Sequence, residues 1–195
     1  MVFLSFFASI GAMHAENLIN KIHDFWFVEA GPDKWWTKDA IFDEVIAERF
    51  GTLVEEAAAG HLDSWAGTLK GALALILVLD QFPRNIYRGT ARAFASGEKA
   101  KNLTLLALGK DYLDDLSEDQ RCFLILPLEH SEEIRDQDLS VSQFETLGNQ
   151  GYLKYAIAHK EIIEKFGRFP HRNVILGRRD TPEETEYLRD PEAGF

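Results

Sequence analysis

Two short stretches of this chain carry cations and no acids. Gln81 to Arg92 holds three Arg, and Lys165 to Arg179 holds one Lys and four Arg. The whole chain has a formal net charge of -11, so these 27 residues, at +8, leave -19 on the other 168. Forked guanidinium groups concentrated on so acidic a chain suit the grip of a carboxylate or phosphate. The stretches also echo each other, Phe82-Pro83-Arg84-Asn85-Ile86 in one and Phe169-Pro170-His171-Arg172-Asn173-Val174 in the other, each after an apolar helical run. Asp80, Gln81, Arg84, Asn85, Arg88, His171, Arg172 and Asn173 are therefore the candidate ligand-binding residues. The commoner fate of such groups is structural. Arg and Asn just past helix ends bond free carbonyls and pair with acids, and Asp111 to Asp138 supplies ten carboxylates against two Arg.

A second cluster is Glu129-His130-Ser131-Glu132-Glu133. A histidine flanked by carboxylates can act as a general base, with His130 as acid or base and Glu132 orienting it. The alternative is a helix-terminal histidine bonded to backbone. Metal binding is disfavoured: on a helix His130 points about 100° away from Glu129, and neither His-Glu-x-x-His nor Glu-x-x-His occurs. His159, in mid-helix, reads as a core histidine, and Trp35-Trp36 as packing between the first helices. Cys122 lies in an apolar run, and there is no Gly-x-Ser-x-Gly elbow, phosphate-cradling glycine loop or dinucleotide fingerprint. No cofactor is implied.

The elements that must position these residues are helices. Apolar residues recur at three-to-four spacing in Glu16 to Phe27, stopped by Gly31-Pro32, and in a helix capped by Thr37. Leu53 to Ala59 reads as a separate helix, and Trp65 to Phe82 is apolar enough to be buried on most sides. Ser96 caps the next. Ser117 with Gln120 forms a capping box, Pro127 divides its helix from Leu128 to Arg135, and Ser140 with Gln143 forms a second box. Gly151 to Phe166 is a long helix, and Thr181-Pro182-Glu183-Glu184 opens the last one. No run alternates as a strand does, so the class is all-α, built of antiparallel helix pairs.

A length of 195 residues with 46% hydrophobic residues suits one helical domain, 17–195. Residues 1–16 read as an extension. Val2 to Met13 lacks the preceding Lys or Arg of a secretory signal and is too short to cross a bilayer. It is either part of the first helix or the product of a start codon placed too far upstream. Net negative charge makes nucleic acid and anionic membranes poor partners, and a single cysteine excludes an intrachain disulfide and suits a cytoplasmic setting.

Several motifs together, Asp24-Phe25-Trp26-Phe27, Leu79-Asp80-Gln81-Phe82-Pro83-Arg84-Asn85-Ile86-Tyr87-Arg88-Gly89-Thr90, Pro127-Leu128-Glu129-His130-Ser131-Glu132 and Phe166-Gly167-Arg168-Phe169-Pro170-His171-Arg172-Asn173, resemble the bacterial family catalogued as domain of unknown function 924. The resemblance runs from about His23 to Phe195. It implies a tetratricopeptide-like α-α superhelix with degenerate repeats, and it carries no established activity. Glu129 stands where that family's stretch is expected to hold Met. Three functions follow: a binding module for an anionic small molecule or acidic peptide, a metal-independent hydrolase using His130, and a structural or oligomeric scaffold held by Trp35-Trp36 or the amino-terminal apolar segment.

Overall fold

The computed structural model describes residues 2–109, 113–190 and 193–194, without the side chains of 2–12 and 114. Asp111, Phe195 and nearly all side chains of the amino-terminal apolar segment thus lie outside the described residues. Within them the chain is all-α, with no strand.

The first helix, α1 (Val2–His23), continues as a π-helical turn (Asp24–Ala30), and Gly31 reverses the chain at φ 66° by donating to the Trp26 carbonyl. A short α2 (Pro32–Trp35) leads to α3 (Ala40–Ala58). Asp39, not Thr37, caps α3, because its side chain accepts from the Ile41 and Phe42 amides. Gly51 does not break α3, so Leu53 to Ala59 is its second half and not a separate helix. Trp35 is buried and donates its indole N–H to the Trp26 carbonyl at 2.8 Å, while Trp36 lies stacked on Phe123.

The centre of the core is α4 (Leu69–Ile76), which runs through a π-helical turn (Leu77–Gln81) into α5 (Phe82–Ile86). Every residue from Gly71 to Pro83 is buried, as an apolar helix surrounded by others must be. Trp26, Phe50 and Phe123 pack rings against it or its neighbours, Trp26 and Phe82 lying 5.6 Å apart. Each such side chain contributes about 1.5–3 kcal/mol when fully buried. Thr68 caps α4, and its first turn lies so close to the preceding loop that a Cβ on Gly71 would come within 2.1 Å of the Trp65 carbonyl oxygen.

The remaining helices are α6 (Gly97–Leu108), α7 (Glu118–Glu129), α8 (Ile134–Leu147), α9 (Gln150–Phe166) and α10 (Pro182–Tyr187). The box at Ser117 forms as expected, and Thr181 opens α10 as expected and forms a box with Glu184 as well. Ser96 begins α6 without a side-chain cap. Pro127 sits inside the last turn of α7 and does not divide it. Ser140 is buried in the middle of α8, whose N-cap is Glu133, so it caps nothing. Cys122 is buried in α7, and burial pushes its thiol up. Among the described residues no helix is long and apolar enough to cross a membrane.

Candidate functional site

The π-helical turn widens the backbone at Asp80 and Gln81, the two polar residues that close the apolar run. A wide turn of this kind often marks a functional position. Here it carries a carboxylate that is 2% exposed and must be fully partnered. His130 Nδ1 lies 2.9 Å from both Asp80 oxygens, Gln81 Nε2 donates at 2.6 Å, and Arg84, one helical turn on, donates at 3.2 and 3.3 Å. Burial alone would raise Asp80. His130 and Arg84, with the hydrogen bonds from His130 and Gln81, outweigh burial and hold the carboxyl well below the usual carboxylate range.

His130 follows the last residue of α7. Its backbone is fixed by its neighbours: Gln137 on α8 donates to the Glu129 and Ser131 carbonyls at 2.7 and 2.6 Å, and Arg172 donates to the His130 carbonyl at 3.0 Å. Three successive carbonyls at a helix end are thereby satisfied by side chains from two other segments. Burial, then Arg84, push His130 down to about 4 against the pull of Asp80. The neutral ring therefore donates from Nδ1 to Asp80, and Nε2 is left as the basic nitrogen.

Arg84, His130 and Arg172 line one recess of about 390 Å³, with Ala91, Phe94, Ala95, Gly97, Glu98, Lys101, Pro127, Ser131, Glu132, Glu133 and Leu176. The two Phe-Pro stretches therefore meet, although 88 residues separate Arg84 from Arg172. Both guanidinium groups lie over the Phe94 ring, at 5.3 and 4.9 Å from its centroid, and Arg172 also stacks on Phe169 at 4.2 Å. Arg172 is 7% exposed, and its Nε is enclosed without a hydrogen-bond partner. Burial, then Arg84, bring its pKa down to about 9.

The other expected site residues separate. Glu132 does not orient His130; that role falls to Asp80. Glu132 instead holds Arg178 through two bonds of 2.7 and 2.9 Å and accepts from the Phe169 amide. Arg88 is turned away onto Asp43, at 2.8 Å through two nitrogens. Asn85 bridges the Gln81 carbonyl and Arg88, and Gln81 serves Asp80. Asn173 donates to Asp180 at 2.7 Å. His171 does not line the recess: its ring packs against Phe169 and beneath Gly194, where burial, then Arg172, push it down to about 4. Only Arg84, Arg172, His130 and Glu132 of the expected residues face the recess.

Several residues that the sequence does not single out as site residues belong to it. Phe94 and Lys101 line it, and behind it lies a second buried pair, Glu129 and His159, 3.2 Å apart. His159 bonds the Tyr155 carbonyl as a core histidine does, yet its ring lies 6.2 Å from that of His130. Burial and then Asp80 push the Glu129 carboxyl up to about 8. The available signal was an acid closing the apolar run Cys122 to Leu128. Among the described residues no three His, Cys, Asp or Glu side chains converge as a metal site.

Fold and recess together define an all-α protein with a partly buried, arginine-lined pocket backed by a carboxylate–histidine pair. The chain belongs to the bacterial family of proteins of unknown function known as domain of unknown function 924, which it matches over residues 22–192. It is also similar to a solved protein of unknown function, ATU0120 from Agrobacterium tumefaciens, at 43% identity and a TM-score of 0.86, over 90% of this chain and 98% of that one. No curated protein matches.

Proposed function

We propose that the recess binds a small anionic molecule or the acidic end of a peptide, held by Arg172 with Arg84 beside it. One observation carries this reading. Arg84, Arg88, Arg92, Arg168 and Arg178 each have a carboxylate within ion-pair distance, whereas Arg172, among the described residues, has only a neutral carbonyl. A buried cation without a counter-charge costs several kcal/mol, and an anion entering beside it removes that cost. Calorimetric titration of the wild type with acetate and with inorganic phosphate at low ionic strength tests the reading. At least one anion is expected to bind, and to lose ten-fold or more in Arg172→Met. Equal or absent binding in two folded proteins would remove the proposal.

A second reading, a hydrolase, is supported by the Asp80–His130 contact of 2.9 Å. In it, His130 Nε2 takes a proton from water as the water oxygen bonds to an ester or amide carbonyl carbon. The same proton then passes to the leaving oxygen or nitrogen as that bond breaks. Arg172 or Arg84 neutralises the oxyanion between the two steps. A panel of esters and amides against wild type and His130→Ala is the test. Turnover that disappears with the imidazole is expected, and turnover equal in both proteins or absent from both would dismiss this reading.

A further inference from the structure

We infer that the recess selects a monoanion, namely a carboxylate with a short apolar body, over a phosphate dianion. The inference rests on the anion-binding reading above and narrows it to one chemical class.

The charges around the recess are the first ground. Arg84 is matched by Asp80 at 3.2 Å, and Glu132 by Arg178 at 2.7 Å. Lys101 is matched twice, by Asp136 at 3.0 Å and Glu98 at 2.8 Å. The buried end of the recess is therefore left with one uncompensated positive charge, on Arg172. Toward solvent the sign reverses, because Glu98 and Glu133 line the outer part of the recess. A carboxylate cancels the single inner charge. A second negative charge has no cation left to meet and faces two acids on the way in.

The shape and composition of the walls are the second ground. Arg172 spends Nη1 on the His130 carbonyl and has its Nε enclosed, and Arg84 spends Nε and Nη2 on Asp80, which leaves Nη2 of Arg172 and Nη1 of Arg84 as donors, two nitrogens for the two oxygens of a carboxylate. Ala91, Ala95, Pro127 and Leu176 add apolar surface to the same recess. Those walls give a hydrocarbon body somewhere to go, and their side chains offer no hydrogen bonds to the third and fourth oxygens of a phosphate.

Titration calorimetry at about pH 7.5 and low ionic strength, with acetate, butyrate, hexanoate and inorganic phosphate as probes, tests the class. Binding is expected to tighten roughly fourfold per methylene between acetate and butyrate as each leaves water. Phosphate is expected to be at least ten-fold weaker than butyrate. Leu176→Asp, at an exposed rim position that leaves the core intact, is expected to weaken butyrate several-fold and keep the wild-type melting temperature. Phosphate binding as tightly as butyrate, no dependence on chain length, or no effect of Leu176→Asp would each overturn the carboxylate class while leaving an anion recess standing. Failure of all four probes to bind would remove both.

Discussion

Replacing Glu129 by Gln should stabilise the protein progressively, relative to the wild type, as pH rises from 4.5 toward 8. Glu129 is 4% exposed, and burial with the adjacent Asp80 raises its carboxyl from 4.5 to about 8. Its folded pKa is above its unfolded one. The contribution to stability is therefore fully present below pH 4.5 and is lost as pH rises toward 8, since the unfolded chain releases a proton that the folded chain keeps. Each pH unit in that window removes about 1.4 kcal/mol, so the wild type forfeits on the order of 5 kcal/mol by about pH 8. The amide of the Glu129→Gln protein cannot ionise in either state and forfeits nothing. Loss of the contact with His159 adds an offset that does not vary with pH. Urea unfolding midpoints of both proteins at about pH 5, 6.5 and 8 measure the difference, which should grow by several kcal/mol across the series. Parallel stability curves over that range would refute the assignment of Glu129 as a buried neutral acid.

Three further outcomes are expected. Arg172→Met should leave the stability of the ligand-free protein within about 1–2 kcal/mol of the wild type, because relief of the buried unpaired charge is offset by the His130 carbonyl losing its donor; a loss of several kcal/mol in the denaturation midpoint would show that Arg172 is needed for structure. In the Glu129→Gln protein, where the opposing slope of Glu129 is absent, stability should fall as pH drops from about 6.5 toward 4, because His130 and His171 stay neutral in the folded state down to about 4. Their folded pKa values are depressed, so protons go to the unfolded chain at about 1.4 kcal/mol per pH unit for each, and a flat profile across that window would contradict their burial. Gly71→Ala should cost about 3 kcal/mol or more from overpacking, read as a lowered thermal midpoint, because its Cβ meets the Trp65 carbonyl at 2.1 Å.

What the sequence disclosed was what local chemistry determines. Ser117 with Gln120 is a box whose partners lie three residues apart, and it formed; Thr181 with its first-turn proline and acids marked the start of α10, and it caps that helix. The continuous apolar run before Asp80 announced a buried central helix. Ser140 with Gln143 has the same spelling as a box and is none, because α8 starts six residues earlier and keeps Ser140 in its core. Pro127 looked like a break, but in the last turn of α7 it interrupts only one hydrogen bond.

The recess was legible in outline only. The repeated Phe-Pro turn with its following Arg-Asn pointed to both arginines that line it, but it could not separate Arg172 from Arg88. That distinction depends on Asp43, 45 residues from Arg88 and in contact with it. In the same way Glu132, close to His130 in sequence, is claimed by Arg178, while Asp80, 50 residues away, reaches the imidazole. Sequence proximity was a poor guide wherever a long side chain had several oppositely charged choices across the fold.

The unmatched charge of Arg172 is most directly tested by a crystal structure of the protein grown with butyrate. Density for the carboxylate within hydrogen-bond distance of the Arg172 guanidinium, with its hydrocarbon end toward Leu176, is the expected result. A recess holding only water, with Arg172 paired to an Asp or Glu of its own chain, would contradict it.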